Sequence, residues 1–587
     1  MSRRYFEEEM RYLHEAGKLF AEAHPEQARF LNIDSVTDRD PYVERLFEGF
    51  AFLTGRIREQ LDDELPQYTE SLCRLLFPHF LKPVPALTLV QFTPRPGEVQ
   101  ETRVVERGTE VRSEPVGERQ TVCRFVTTQA VRLQPLALEE AALQWQPGGT
   151  STALLRFRLD DRADPGRLRL SPLRLHFHAD PTVASLMHLF FTRHVSRVEI
   201  AGLTPTGTET HPITLHGPAW VRPGGLDDDE SLLPDTPHVF GGFRLLQEYF
   251  AFRRKFWCVD LYGLDRYRPG SSGTTFLVKV HFDRSYPEDK RFRTEDVRLF
   301  CTPAVNLFEA DAEPILVDHR VSEYRVVADV RRQQEVEVYD VVGGVAVDER
   351  TRRRRRYVPF YGFEHMSSPE TRYFVPSTRF GLTGRFETYV SLDTLEQEQI
   401  DLAPETLSLE IRCTNGSLPR EKLRERMIRQ LAPEVPKLAE PSNLTQPTLI
   451  LYPPLRERRH FFWQLISHWS LNFRTLASAE ALKGLLELYD WTGTDANRRR
   501  IAGLREVRWR PKEVLRRNSV LRGAEVVVRV QEGHFADEGD VCLFGLVLSR
   551  FFSTFATINS FVHLTIEMVP SGTTYQWQPE KGTRPTL

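Results

Sequence analysis

Cysteine is scarce in this 587-residue chain, and its spacing excludes several classes of protein. The six cysteines lie tens of residues apart, and no two of them form a CxxC pair. A disulfide framework or a cysteine-based zinc site needs paired or closely spaced thiols. We therefore expect reduced thiols in the cores of a cytoplasmic protein.

Long apolar runs are also missing. The best candidate, residues 541–555, is shorter than the roughly 20 residues that span a bilayer, and it contains Arg550. Residues 1–11 are charged where a secretory leader needs an apolar stretch. We expect a soluble protein with no direct membrane insertion.

The chain has no strong excess of either charge. Its 78 lysines and arginines nearly balance 81 acidic residues, which excludes electrostatic nucleic-acid binding by the molecule as a whole. The charge is uneven, however, because residues 1–85 carry a net −5 and residues 416–587 a net +7. Opposite signs at the two ends favour assembly with partners or with further copies of the chain.

The common catalytic and nucleotide-binding motifs are absent. The sequence contains no GxxxxGK[ST] loop, GxGxxG turn, HExxH helix or GxSxG elbow. Because enzymes also assemble sites from scattered residues, a β-rich carbohydrate-active or glycan-binding protein stays open as an alternative. We predict no catalytic residue, no cofactor and no resident metal.

Two small clusters could carry chemistry, but a structural role suits both better. His176 and His178 lie two apart on a predicted strand and share one face, yet no third metal ligand is evident. Asp62, Asp63 and Glu64 end a predicted helix, where neighbouring carboxylates diverge instead of converging on a substrate. A solvated helix end or an interface salt bridge is the favoured interpretation of the second cluster.

The segment from residue 498 to residue 529 is the most basic part of the chain. It holds 11 basic and 3 acidic residues interleaved with Trp509, Val514 and Leu515. Nucleic-acid binding would use such a mixture. A surface that faces protein or solvent is the interpretation we favour, because the segment precedes a buried strand and helix.

Hydrophobic periodicity predicts an α+β multidomain fold. Apolar residues at spacings of three and four predict helices in the first 80 residues, and alternation from residue 86 predicts antiparallel strands in sandwich or barrel-like domains. Prolines from Pro433 to Pro454 predict a linker, and an apolar core helix is predicted after Asp540. The predicted division is a helical segment at 1–85, β-rich domains at 86–240 and 241–415, and a mixed α/β domain at 416–587.

A helix is predicted to begin at Pro41, with Asp40 as its capping residue. Its apolar stripe contains Leu46, Phe50 and Leu53, and Phe47 and Phe52 flank that stripe and make the apolar face wider than one partner needs. Two polar segments are predicted to be exposed loops. They are four acids at Asp227–Glu230 and five arginines at Arg352–Arg356.

Seven segments, in order along nearly the whole chain, resemble the TssF family (also called VasA or ImpG). They are DPYVERLFEGFAFL from Asp40, LFPHFLKP from Leu76, LQEYF from Leu246, PAVNLF from Pro303, CTNGSLP from Cys413, SLNF from Ser470 and INSF from Ile558. The family is a baseplate subunit of bacterial type VI secretion systems.

The resemblance implies a structural role. Two copies of such a chain pair with one TssG, and this trimer joins TssK and the sheath-like TssE. Six of these wedges surround the VgrG spike, at a baseplate docked to the inner-membrane complex on the cytoplasmic side. The family has no catalytic residues to carry over.

Within that role we expect two kinds of contact. The helix after Asp40 would join a bundle shared by two copies of the chain and TssG, whereas the two charged loops would join neighbouring wedges. The candidate interface residues are Phe47, Phe50, Leu53, Arg56, Ile57, Asp62, Asp63, Arg353, Arg354 and Arg355.

Overall fold

The chain divides into two units, residues 1–81 with 454–470 and residues 82–453 with 471–587. The computed structural model describes the following residues: 6, 9–10, 12–14, 41–56, 73, 77–164, 167–234, 241–267, 274–318, 320–348, 351–360, 371–381, 384–393, 404–454, 465, 478–516, 519–557 and 560–582. The α+β class predicted from periodicity is confirmed, since helices and several β-sheets both occur among these residues.

In the first unit, residues 41–56 are helical, as the capping signal at Asp40 predicts. A short 3₁₀ helix spans Pro78–Leu81, just after the backbone N–H of Phe77 donates to the Cys73 carbonyl at 2.7 Å. Leu465 is also helical and buried.

The second unit contains α-helices of different lengths among its strands. They span Pro181–Arg193, Gly241–Ala251, Leu418–Lys422, Ala479–Tyr489, Asp495–Ala502 and Glu538–Phe555. Short 3₁₀ helices include Pro218–Trp220, Asp228–Glu230, Arg253–Phe256, Leu264–Arg266, Glu288–Lys290, Thr294–Asp296, Val330–Arg332 and Glu532–His534. Ser478 caps the helix that follows it, because its hydroxyl accepts from the Ala481 N–H at 3.1 Å.

The strands of the second unit form separate sheets. A six-stranded sheet is formed, from one edge to the other, by Ile428–Leu431, Glu110–Val116, Thr121–Thr127, Cys301–Val305, Leu87–Pro94 and Ala439–Asn443. A middle five-stranded sheet is formed, again from edge to edge, by Glu209–His216, Val195–Leu203, Thr275–Phe282, Thr150–Leu159 and Leu136–Gln146. A four-stranded sheet is formed by Val221–Pro223, Cys258–Leu261, Leu173–Phe177 and Val297–Leu299, and Arg103–Val105 pairs with Val131–Leu133.

Two further sheets complete the unit. The eight-stranded sheet contains Phe308–Asp311, Glu405–Thr414, Glu337–Asp348, Arg354–Pro359, Thr371–Phe380, Phe386–Asp393 and Tyr324–Val326, with Ile315–Val317 also on Glu405–Thr414. The C-terminal sheet contains Leu504–Arg516, Ser519–Gln531, Phe561–Val569 and Thr574–Gln576, with Glu580–Lys581 also on Phe561–Val569.

The alternation that predicts strands corresponds to real burial. In Thr150–Leu159, Leu155 and Phe157 are buried while Arg158 is exposed, since successive side chains point to opposite faces. Phe157 stacks on Phe276 of the neighbouring strand, with ring centroids 5.3 Å apart. Such cross-strand aromatic pairs stabilise each sheet against its core.

The proline-rich stretch predicted as a linker is partly a strand, so that prediction was wrong for residues 439–443. Ala439–Asn443 pairs with Leu87–Pro94 at one edge of the six-stranded sheet, where Pro441 lies opposite Phe92. A proline is tolerated in an edge strand because one side of the strand makes no ladder hydrogen bonds. Two segments about 350 residues apart in the sequence are therefore neighbouring strands of one sheet.

The predicted apolar core helix is confirmed as Glu538–Phe555. Asp537 caps it by accepting from the Asp540 N–H at 2.7 Å. It packs closely on the helix Pro181–Arg193, where a Cβ on Gly539 would lie 2.4 Å from the Ser185 carbonyl oxygen. Among the described residues, no helix is both long and apolar enough to cross a membrane.

Candidate interaction surfaces

One side of the helix of residues 41–56 is covered. The Nε2 atom of His14 lies 2.9 Å from Oε1 of Glu44, and the His14 ring lies 6.0 Å from the Phe47 ring. Ala51 and Gly55 are buried. They lie on the same side of the helix as Glu44 and Phe47, because residues spaced by three or four positions share a helix face. Phe47, a predicted interface residue, is therefore half-buried against its own unit.

The other side of this helix exposes a stripe of large apolar side chains. Leu46, Phe50 and Leu53 are 59%, 53% and 59% exposed, and their spacing places them on one face. A contiguous exposed apolar stripe marks an interaction surface in a protein of this size. Arg56 is exposed as well. The predicted contact residues Ile57, Asp62 and Asp63 lie outside the described residues.

The arginine run is largely a strand, which corrects the prediction of an exposed loop. Residues Arg354–Pro359 pair with Glu337–Asp348, so alternate side chains point to opposite faces of the eight-stranded sheet. Arg355 lies on the inner side, where its Nη1 is 3.2 Å from the buried Glu405 carboxylate. Arg353 and Arg354 stay exposed.

The acidic segment is also more ordered than an exposed loop. Asp228–Glu230 is a 3₁₀ helix with Asp227 at its N-cap. Glu230 pairs with Arg174 at 2.5 Å and accepts from the Gly225 N–H at 2.8 Å, so its charge is used within the fold. Asp229 is exposed, and Asp228 is 84% exposed although it pairs with Arg244 at 3.6 Å.

His176 and His178 do not belong to a metal cluster within the described residues. They lie on Leu173–Phe177 and just after it, with Cys258 and Arg298 directly opposite His176 on the two neighbouring strands. No group of three or more possible ligands is found in this part of the chain. Burial lowers the pKa of His176 to about 3 and that of His178 to about 4.

The basic segment 498–529 uses many of its charges internally. Arg500 donates to the buried carboxylate of Asp540 at 2.8 Å, and Arg529 donates to Glu567 at 2.7 Å. Hydrogen bonds from Lys512 and its neighbours lower the pKa of Glu525 to about 2. Phosphate binding needs unpaired cations, so these ion pairs argue against the nucleic-acid interpretation.

Aromatic side chains of the β-rich region stack with arginine. The guanidinium groups of Arg291, Arg266 and Arg222 lie 4.5, 4.6 and 4.7 Å from the ring centroids of Trp145, Trp220 and Tyr262 respectively. Glycan-binding proteins offer open aromatic faces to sugar rings, whereas cation–π stacking occupies one face of each of these rings. This arrangement does not favour the glycan-binding alternative.

Sequence reasoning missed a polar junction between the six-stranded and eight-stranded sheets. Asn306 donates to the Asn415 side chain at 2.8 Å and accepts from the Thr414 hydroxyl at 2.9 Å, and all three residues are buried. The PAVNLF and CTNGSLP segments therefore meet, though their side chains come from positions about 110 residues apart. The asparagines of these two segments were the available signal, because an asparagine that is buried needs hydrogen-bond partners.

A second missed feature is a buried ion pair in the LQEYF segment. Glu248 accepts from the Lys255 ammonium and, through Oε1, from the Leu232 N–H at 2.8 Å. Both charged side chains are about 2% exposed. Through these two contacts Glu248 ties the helix Gly241–Ala251 to Lys255 and to the chain that follows the acidic segment, so this motif has a structural role.

The whole chain matches one protein family. Residues 2–584 match the family described as "Type VI secretion system, TssF". The type VI secretion system component TssF1 of Pseudomonas aeruginosa is 31% identical over 637 aligned positions, which cover 99% of each chain.

Two solved structures have the same fold. A chain of the type VI secretion system TssK-TssF-TssG baseplate subcomplex is 34% identical, with a TM-score of 0.76 over 92% of this chain and 99% of that one. A chain of the baseplate complex from the type VI secretion system is 31% identical, with a TM-score of 0.63 over 99% and 100%. The chain belongs to the TssF family of type VI secretion baseplate subunits.

Proposed function

We propose that this chain is a structural wedge subunit of a type VI secretion baseplate. It assembles with TssG and TssK, and through the wedge with TssE, around the VgrG spike to support sheath assembly and effector delivery. The first two partners are supported by the similarity to a chain of a TssK-TssF-TssG baseplate subcomplex. The role is one of binding and not of catalysis.

The exposed stripe of residues 41–56 carries the proposal. Leu46, Phe50 and Leu53 face solvent on a helix whose opposite side is covered. Because these side chains are only 53 to 59% exposed, burying the rest of their surface contributes roughly 3 to 5 kcal/mol before the costs of association, as one part of a larger bundle interface. The bundle joins two copies of this chain and one TssG.

The double variant Phe50→Asp and Leu53→Asp tests the bundle. We expect it to lose co-purification with TssG, because two charges would be buried at the contact, while the second unit keeps its fold and its circular dichroism. Phe52→Asp is the matched control, since Phe52 is 49% exposed but lies on a different side of the helix.

The subunit composition of the complex is then measured by light-scattering mass determination of the chain co-expressed with TssG and TssK. A discrete complex with two copies of this chain per TssG is expected. Retention of TssG by the double variant would show that the stripe is not the bundle surface. A complex with one copy of this chain would contradict the proposed stoichiometry of two copies per TssG.

A second contact between neighbouring wedges is proposed from the charged surfaces. Arg353 and Arg354 are exposed at the start of an interior strand of the eight-stranded sheet, and Asp228 and Asp229 are exposed near the helix Gly241–Ala251. Opposite charges at such positions support salt-sensitive contacts that can be exchanged when the system fires. Arg355 is left out of this contact because it pairs with Glu405.

A further inference from the structure

The two longest strands of the C-terminal sheet form a hairpin that extends beyond the rest of the sheet. Leu504–Arg516 and Ser519–Gln531 pair with each other over their full lengths. The next strand, Phe561–Val569, pairs with this hairpin only from Ala524 onward. Residues 513–516 and 519–522 are therefore a two-stranded ribbon, and an isolated ribbon of this kind is at best marginally stable in water.

Four branched apolar side chains lie near the end of this ribbon, and we call Val514, Leu515, Val520 and Leu521 the hairpin tip. Leu515 lies directly opposite Val520, and the two are 76% and 58% exposed. Val514 lies opposite Leu521 on the other face, where both are half-buried. Each face of the tip thus presents an apolar cross-strand pair.

The exposed pair continues the core face of the sheet. Counting by twos from Leu515 and Val520 leads to Trp509 and to Val526, and Val526 is 2% exposed. Between them, Arg522 and Glu513 form an ion pair at 3.1 Å. The ion pair interrupts the apolar face where it leaves the core, and the face becomes apolar again at the exposed pair of Leu515 and Val520. An exposed apolar pair at the end of a projecting ribbon is a candidate protein contact.

The charge around the tip indicates the chemistry of the partner. Residues 504–531 contain eight basic and three acidic residues, so the hairpin keeps a net positive charge even though Arg522 pairs with Glu513. Two hairpins from separate copies would bring these positive charges together, which disfavours self-pairing. Nucleic acid is disfavoured because Arg510, Lys512 and Arg529 are already paired with glutamates.

We propose that the hairpin tip docks into an apolar hollow with an acidic border on another protein subunit of the baseplate. This inference rests on the proposed function, since it takes the partner from the TssG and TssK that are co-expressed with the chain. The tip belongs to the second unit and the helix stripe of residues 41–56 to the first, so each surface can be altered without changing the other.

Thiol labelling tests the proposal directly. All six native cysteines lie buried and unpaired by disulfides, so Leu515→Cys provides one accessible thiol in the full-length chain. We expect a maleimide to label this thiol at least tenfold more slowly in the complex with TssG and TssK than in the free chain. Val330→Cys is the matched control, because Val330 is 59% exposed outside this sheet and should label at one rate in both states.

A disruptive variant gives the second readout. Leu515→Asp with Val520→Asp should weaken the complex at least tenfold and leave the melting temperature of the free chain unchanged, since both side chains are exposed. Val330→Asp should bind as the unaltered chain does. Equal labelling of Leu515→Cys in both states, or binding by the double variant within twofold of the unaltered chain, would overturn the proposal.

The remaining outcomes distinguish a failure of the hairpin-tip inference from a failure of the proposed function. Protection of Leu515→Cys in the free chain at rising concentration, or on addition of duplex DNA, would identify a different occupant and overturn the proposal. If the unaltered chain forms no complex with TssG and TssK, the proposed function fails and this inference fails with it. If that complex forms but the tip stays accessible, the inference alone fails.

Discussion

Two buried histidines, His176 and His188, and the half-buried His178 make the folded chain less stable in acid. His176 and His188 have ring nitrogens with no hydrogen-bond partner, and both side chains are at most 3% exposed. Burial lowers the pKa of each to about 3, from an ordinary value of 6.5, and that of the less buried His178 to about 4. All three are therefore neutral in the folded chain at neutral pH.

The free energy of unfolding falls as the pH falls, because these histidines bind protons more readily in the unfolded chain. Because the folded pKa lies below 6.5, the unfolded chain takes up protons first as the pH falls, and the folded form loses stability below about pH 6.5. Asp537 acts in the opposite direction, since burial raises its pKa to about 6. The effects of His176 and His188 together exceed that of Asp537, and their difference lowers the free energy of unfolding by about 2 kcal/mol between pH 8 and pH 5.5.

We expect the urea midpoint of unfolding to be lower at pH 5.5 than at pH 8, measured by tryptophan fluorescence. Replacing His188 with leucine removes one buried titratable ring and should recover about two thirds of that loss, because a leucine has no proton to gain. An unchanged loss in the variant would show that His188 does not control the acid response.

At the scale of elements, glycine lets the core helix Glu538–Phe555 pack closely. A Cβ on Gly545 would lie 2.2 Å from the Trp577 ring and 2.6 Å from the Ile566 side chain. Both neighbours are buried and have no room to move. This close approach, and not local flexibility, explains a glycine in the middle of a buried helix.

Gly545→Ala should destabilise the fold by about 1 to 3 kcal/mol, because the added methyl overpacks the core by more than alanine gains in helix propensity. Gly484→Ala is the matched control in the helix Ala479–Tyr489, where nothing lies within 4 Å of the new Cβ. The control should stabilise by about 0.5 to 1 kcal/mol. Thermal unfolding of both variants checks the pair, and equal effects would refute the packing argument.

At the scale of the whole molecule, exposed charges of opposite sign lie at different places in the second unit. The chain is close to neutral overall, with 78 basic and 81 acidic residues, yet exposed Arg353 and Arg354 lie on the eight-stranded sheet and exposed Asp228 and Asp229 on another part of the unit. Contacts that join such surfaces between copies of a wedge weaken as salt rises.

The double reversal Arg353→Glu with Arg354→Glu should reduce association between assembled wedges several-fold at about 50 mM salt and have little effect at about 500 mM, as measured by sedimentation. The reason is that the Debye length falls from about 14 Å at the lower salt concentration to about 4 Å at the higher one, so the contact is screened. Arg132→Glu with Arg169→Glu changes the net charge equally at other exposed positions and should leave association unchanged. If both pairs behave alike, net charge and not this contact sets the association.

The sequence predicted those features that depend on neighbours along the chain. Alternation predicted strands such as Thr150–Leu159, and an apolar run after Asp540 predicted the helix Glu538–Phe555, because pleat and helical turn are local geometries. The apolar stripe with Phe50 and Leu53 was visible for the same reason. The family, too, was recognisable from short segments in order.

Tertiary structure decided which of these elements share a sheet and which charges are used within the fold. Ala439–Asn443 joins Leu87–Pro94, and Asn306 meets Asn415, through contacts between residues that are distant along the chain. Arg355 and Arg354 are adjacent and identical in type, yet only Arg355 reaches the buried carboxylate of Glu405. Composition cannot separate them, because the environment of a side chain is set by the strand register and the packing around it.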